Sequence, residues 1–230
     1  MSIPEPRLII FAGTVGSGKS TQMRLLASAL KSRGVKVKIS VLKRGHILAY
    51  FLEVVLVNLT TKRKDVYPIR ALFEERPNFF KKIFKLLIIL DIISISFKFL
   101  FEIFIPLKCG YVVLVEEYLP ATIADYIFLS KIISFPVKNI SFALKFIEKL
   151  MSLAGPMKVI FLDADTDVLR FRWKLRGSMD ESLDYLNMQR TLLLPLLKMT
   201  SSKLFYIKTT NQTIKETHKQ ITDCLSIFSY

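Results

Sequence analysis

Residues Gly13 to Ser20 read GTVGSGKS, set between the apolar run RLIIFA (7–12) and a stretch of helical periodicity. The pattern G-x-x-x-x-G-K-[ST] constrains the fold more than any other feature of the chain. Its glycines let successive backbone N–H groups turn toward one anion, and the helix that follows adds its positive end, so a strand must lead in and a helix must lead out. Both flanks comply. The run before the loop suits a strand buried on both faces of a parallel sheet. After it, Met23, Leu26, Ala27 and Leu30 recur at helical spacing, with Gly34 as a stop. The loop predicts a bound ATP or GTP. Lys19 would reach the β- and γ-phosphates, the Ser20 hydroxyl would ligate magnesium, and Gly13, Gly16, Ser17, Gly18, Lys19, Ser20 and Thr21 would form the binding set.

Further along, strand and helix patterns alternate. Val35, Val37, Ile39 and Val41 are spaced by Lys36, Lys38 and Ser40, as in an edge strand with one wet face. YVVLVEE (111–117), MKVIFLDAD (157–165) and KLFYIKT (203–209) read as strands, ISFALKFIEKLMSLAG (140–155) as a helix, and the C-terminal stretch as another helix. The alternation predicts an α/β protein with a doubly wound parallel sheet. Neither an internal repeat nor a low-complexity linker interrupts it, so residues 1–230 read as a single domain.

A net charge of +15 and a pI near 9.8 call for anionic partners. The basic run TKRKD (61–65) has no interleaved aromatics, which argues against nucleic acid. Cys109 and Cys224 give neither a disulfide framework nor a metal cluster, and MSIPEPRLII lacks the charge and apolar length of a signal peptide. An intracellular, cytoplasmic location follows as the expectation.

The segment 79–107, FFKKIFKLLIILDIISISFKFLFEIFIPL, is apolar enough to raise a membrane span, but Lys85, Asp91, Lys98 and Glu102 interrupt it. Asp91, Ser94, Lys98 and Glu102 share one narrow helical face and leave a broad apolar surface around the rest. A long helix buried in the domain or at a dimer interface is expected; docking on a membrane surface, aided by Lys81, Lys82 and Lys85, is the alternative.

Magnesium also needs an acid at the end of a neighbouring strand. VVLVEE offers Glu116 and Glu117, and VIFLD offers Asp163, which otherwise would cap or steady the next segment. Arg170, Arg172, Lys174 and Arg176 follow within DADTDVLRFRWKLRG (163–177) and suit charge stabilisation of a transferred phosphoryl group.

The glycine loop, the strand ending in EEY (116–118), LDADTDVLRFRWKLRG (162–177) and YLNMQR (185–190) together resemble, in order and spacing, the thymidylate kinases among the P-loop nucleoside monophosphate kinases. The resemblance implies a three-layer P-loop NTPase-type fold with a five-stranded parallel sheet and a lid near 165–180, ATP and magnesium, transfer to dTMP, and a homodimer. It sets the 111–117 strand beside the first and so favours Glu116 as the magnesium acid. Arg172 and Arg176 fall on the lid arginines. Since a phosphate acceptor oxygen is already anionic, no general base is needed. Departures fall on the acceptor side: Ala12 and Val15 replace loop acids, and the family's D-R-Y becomes Glu116, Glu117, Tyr118. FEER (73–76) echoes the family's F-A-A-D-R and gives Arg76; aligning ILD (89–91) instead leaves Ile92 in that arginine's place. Arg76, Tyr118 and Arg44 are the acceptor-binding candidates, with Lys43 and Arg70 as other cations. A kinase with a different acceptor, one presented at a membrane included, and a nucleotide-binding protein without turnover are the alternatives.

Overall fold

Five short runs rich in β-branched and aromatic residues pair side by side, all in one direction; the inner strands β1, β3 and β4 carry apolar residues on both faces and so need cover on both. In the computed structural model, which describes residues 7–43, 48–61, 66–177 and 182–225, the elements run in chain order as follows: β1 (Leu8–Gly13), α1 (Lys19–Lys31), β2 (Val37–Val41), α2 (Leu48–Thr60), α3 (Pro68–Glu75), α4 (Pro77–Phe99), α5 (Ile105–Lys108), β3 (Val112–Glu116), α6 (Leu119–Ile132), α7 (Ser141–Ala154), β4 (Met157–Asp163), α8 (Thr166–Leu175), α9 (Leu183–Met188), α10 (Leu194–Thr200), β5 (Lys203–Lys208) and α11 (Ile214–Cys224). The strand order is β2-β3-β1-β4-β5 and every pairing is parallel.

Alternation along the strands divides the core into two layers. Ile9 and Phe11 of β1, Val112 and Leu114 of β3, and Ile160 and Leu162 of β4 pack with Leu26 and Leu30 of α1 and Ile221 of α11. The intervening residues Leu8, Ile10, Val113, Val115, Val159 and Phe161 face the larger cluster built with α4, α6 and α7. The expected doubly wound, three-layer sheet is what forms. The register also brings Phe11 opposite Glu116 and Gly13 opposite Leu162, so the ends of β3 and β4 flank the glycine loop on its two sides.

The edge strand departs from its pattern. Pairing puts β2 at the sheet edge as expected, but Ile39 and Val41 are partly exposed and Ser40 is buried. Ser40 is inward because its hydroxyl donates to Glu102. That carboxylate belongs to the long apolar segment, which forms α4, a π-helical turn at Leu100–Phe104, and α5. A second π-turn, Gln189–Leu193, joins α9 to α10. Each π-turn is followed two residues later by a proline, Pro106 and Pro195. Proline has no N–H to donate and its ring presses on the carbonyl one turn back, so a widened turn relieves the clash.

The polar face of the long helix points into the molecule. Asp91 and Ser94 are buried; Asp91 accepts from the Tyr126 hydroxyl at 2.8 Å, and Ser94 Oγ accepts from the Leu48 amide at 3.2 Å. Leu86, Ile93, Phe97 and Phe101, on the opposite side, are exposed. No helix among the described residues is long and apolar enough to cross a membrane. Replacing Asp91 by alanine removes the acceptor of a buried hydroxyl and is expected to lower the unfolding free energy by about 1–3 kcal/mol, read from the midpoint and slope of a urea titration.

Candidate active site

The glycine loop is locked before any ligand arrives. A Cβ on Gly13, at φ +129°, would lie 1.9 Å from the Leu162 carbonyl oxygen, and one on Gly16 would lie 2.5 Å from the Trp173 indole nitrogen. Both positions therefore need glycine for close approach as well as for conformation. Ser17 closes the turn, its hydroxyl donating to the Thr14 carbonyl at 2.8 Å. Gly18, in the left-handed conformation, precedes α1, whose first residues Lys19, Ser20 and Thr21 put the helix N-terminus at the loop.

Side chains from three distant segments hold the crest of the loop. Trp173 of α8 donates through Nε1 to the Val15 carbonyl at 3.0 Å, and Gln189 of the second π-turn accepts from the Val15 amide at 3.2 Å. Thr14 donates to Asp163 Oδ1 at 2.9 Å. Asp163 also receives the Ala164 amide, the Tyr206 hydroxyl and two guanidinium nitrogens of Arg190, all within 2.8–3.1 Å. It is the steadying carboxylate at the end of β4 rather than a free metal ligand. Burial, and then the hydrogen bond to and charge of Asp163, push the Tyr206 phenol up to about 12.

Glu116 stands where the family resemblance put it, at the end of β3 beside β1, and accepts from Ser20 Oγ at 2.8 Å. A hydroxyl and a carboxylate side by side at a phosphate loop are hard oxygen donors suited to magnesium. Among the described residues no group of three or more His, Cys, Asp or Glu gathers to hold a metal; a magnesium ion that shares its coordination with phosphate oxygens and water does not need one.

Lys19 is buried, and its ammonium donates to the Gly13 and Thr14 carbonyls, each at 2.9 Å. Glu117 lies 3.2 Å from it. Glu117 has φ +58°, unusual for a residue with a side chain. Burial would raise the Glu117 pKa, but Lys19 and then Lys43 outweigh it and hold the carboxyl below its ordinary value. Burial pulls the Lys43 ammonium down, and Tyr185, Glu117 and Asp125 reverse this, leaving it well above its usual range. Lys43 Nζ stands 5.3 Å from the centre of the Tyr185 ring, and the Tyr185 hydroxyl donates to Asp125 at 3.0 Å.

The remaining candidates separate. Arg172 donates to the Gly16 carbonyl at 3.4 Å and to the Thr209 hydroxyl and carbonyl at 3.0 and 2.9 Å, so it sits against the loop. Burial, then the Arg176 charge, lowers its pKa. Arg176 is exposed at the end of α8. Tyr118 is buried at the start of α6. Arg76 is exposed between α3 and α4, where its Nε donates to the Thr60 carbonyl at 3.1 Å and ties the end of α2 to that corner. Arg44, residues 62–65 and the last part of the expected lid lie outside the described residues. Sequence reasoning missed the parts played by Trp173, Gln189, Asp125 and Tyr185. The single tryptophan of the chain, set in a basic run, was the available signal for the first.

No family model and no curated protein matches the sequence. Among solved structures, the chain is similar to the crystal structure of thymidylate kinase from Ehrlichia chaffeensis, with 18% identity, a TM-score of 0.52, and coverage of 95% of this chain and 97% of that one. At that identity the likeness establishes a thymidylate kinase-like fold. The hub at Asp163 is the element of this site most open to a stability test: Asp163→Asn is expected to cost about 2–3 kcal/mol, because Arg190 loses its ionic partner in a half-buried setting. Thermal and urea unfolding of the variant would measure it.

Proposed function

We propose that residues 1–230 work as one kinase domain, a phosphotransferase that moves the γ-phosphoryl group of magnesium ATP to a small acceptor. The observation that carries this reading is the Ser20–Glu116 pair at 2.8 Å on the rim of a rigid phosphate loop. Phosphoryl transfer asks the protein mainly to position two substrates and to stabilise charge, and the loop region supplies both kinds of group. The loop amides and Lys19 hold the donor phosphates, Lys19 leaving the Gly13 and Thr14 carbonyls to do so. Ser20 and Glu116 would hold magnesium, which would offset the charge of the phosphates. Arg172 brings its guanidinium to the donor side, and Arg176 extends the positive charge from the end of α8.

The acceptor implied by the sequence resemblance is dTMP, to give dTDP, and the fold supports a nucleotide kinase of that general kind. One observation favours a second reading in which the acceptor differs. The residue after Glu116, an arginine in the resembling family, is Glu117, and its carboxylate is paired with the phosphate-loop lysine.

A homodimer belongs to the same proposal. Leu86, Ile93, Phe97 and Phe101 recur at spacings of seven, four and four along the long helix and are 50%, 40%, 59% and 61% exposed. A stripe this apolar favours cover by another surface, and a second copy offers the same stripe in return. The free thiols Cys109 and Cys224 fit a reducing, cytoplasmic setting.

Lys19→Ala is expected to lower ADP formation from magnesium ATP by at least about 100-fold, measured across a panel of nucleoside monophosphates. ADP formation equal to that of the parent chain would overturn the phosphotransferase reading. Light scattering of the parent chain is expected to give a dimer mass, and Phe97→Asp with Phe101→Asp a monomer mass; a monomeric parent would remove the dimer.

A further inference from the structure

Helix α7 carries apolar residues on two faces. Ala143, Ile147 and Leu150 are buried in the core beneath it. On the opposite side Phe142, Phe146 and Leu153 recur at spacings of four and seven and are 40%, 38% and 52% exposed. The inner face accounts for the packing of the helix; the outer one adds nothing to it.

Cations surround that outer face. Lys145 and Lys149 of α7 are exposed beside it. At the start of α7, Lys85 Nζ stands 5.9 Å from the centre of the Phe142 ring, which joins α4 to the same surface. Lys81, Lys82 and Lys85 line an open cavity there with Asn78 and Phe135, and Lys138 is exposed on the turn that leads into α7. At the far end of the helix, Leu153 shares a cavity with Arg7 and Lys108. Residues 77–90 and 131–154 together hold seven lysines, no arginine and a single acid, Glu148. Lys81 and Lys85 lie roughly a third of a turn round α4 from the stripe of Leu86, Ile93, Phe97 and Phe101, so this surface is distinct from the one assigned above to a second copy.

The chemistry of the face selects among polyanions. Nucleic acid is held by arginine forks on phosphate and by rings that stack on bases. Here the cations of the two segments are all lysines, and aliphatic Ile132, Val137 and Leu153 are exposed among them. Aliphatic groups enter the boundary between headgroups and acyl chains, while flexible lysine stems reach the phosphates above. Lysine clusters beside an amphipathic helix suit an anionic bilayer.

We propose that the outer face of α7, with the first turns of α4, docks on a membrane surface rich in anionic phospholipid. Phe142, Phe146 and Leu153 enter the headgroup boundary, and the lysines around them meet the lipid phosphates. The attachment is peripheral, since no helix among the described residues is long and apolar enough to cross a membrane. Arg7 and Leu153 stand near the starts of β1 and β4, and the glycine loop follows the other end of β1, so this end of the docked face is remote from the loop. The inference goes beyond the phosphotransferase reading and does not rest on it.

The test is co-sedimentation of the full chain with vesicles of phosphatidylcholine plus phosphatidylserine, and with vesicles of phosphatidylcholine alone. Binding is expected to the mixed vesicles, weakened by added salt, and not to the neutral ones. Lys81→Gln, Lys82→Gln and Lys85→Gln together are expected to weaken it by about 100-fold, and Phe142→Ser with Phe146→Ser by about 10-fold. A control with the same loss of charge on the opposite layer, Lys31→Gln, Lys215→Gln and Lys219→Gln, is expected to stay within threefold of the parent. No binding of the parent chain to the mixed vesicles overturns the inference. So does a control variant that loses as much as the Lys81, Lys82 and Lys85 variant, which would make the attraction one of net charge alone. Tighter binding to a single-stranded oligonucleotide than to the mixed vesicles, lost in the same lysine variant, assigns the face to nucleic acid and overturns it too. If the phenylalanine variant does not fold, the comparison of the two lysine variants still decides.

Discussion

Much of the site depends on one carboxylate. Asp163 ends β4, between β1 and the edge strand β5, and collects hydrogen bonds from the phosphate loop through Thr14, from the second π-turn through Arg190, and from β5 through Tyr206. Those three segments are far apart in sequence, and none is positioned by local preference alone. A buried carboxylate with this many donors has its oxygens fully occupied, so it draws the loop, the π-turn and the edge strand to one point. The neighbouring acid at the end of β3, Glu116, is thereby left to face the loop hydroxyl of Ser20.

The two carboxylates after β3 then divide the work. Glu116 accepts from Ser20, whereas Glu117 turns, through an uncommon backbone conformation, to Lys19 and Lys43. Strain of this kind persists where surrounding contacts over-determine it, and the pairing with the phosphate-loop lysine is such a contact. Two carboxylates one peptide bond apart therefore engage two neighbouring side chains of the glycine loop and its helix, Ser20 and Lys19.

The parts of this arrangement readable in the sequence were those with strong local signals. The glycine loop, its flanking strand and helix, and all five strands followed from local pattern, because a buried parallel strand is a short apolar run of limited length and an edge strand alternates. Glu116 was preferred to Asp163 as a magnesium ligand through the resemblance; in the fold it accepts from Ser20, while Asp163 is taken up by Thr14, Arg190 and Tyr206. The inward face of β2 was misread, since nothing local announces that Ser40 would find a carboxylate 62 residues away. The long apolar segment was recognised as a helix, but its π-turn was not, because the effect of Pro106 is felt a turn earlier than the proline itself. Lys43, Asp125 and Tyr185 come from three separate elements, so their cluster exists only once the chain is folded. The same holds for Gln189: its neighbours in sequence suggested a family, while its contact with Val15 is a property of the tertiary fold.

The closeness of Gly13 to the Leu162 carbonyl and of Gly16 to the Trp173 ring has a thermodynamic side. A loop backed by strand and indole at such distances has already surrendered its backbone freedom on folding. Under the proposed function, anion binding would not have to freeze it, and the entropic cost of capture would fall on the ligand and on the Lys19 side chain. In such a site, selectivity among phosphates arises from the groups that still move, while the amide cradle contributes the same affinity to each.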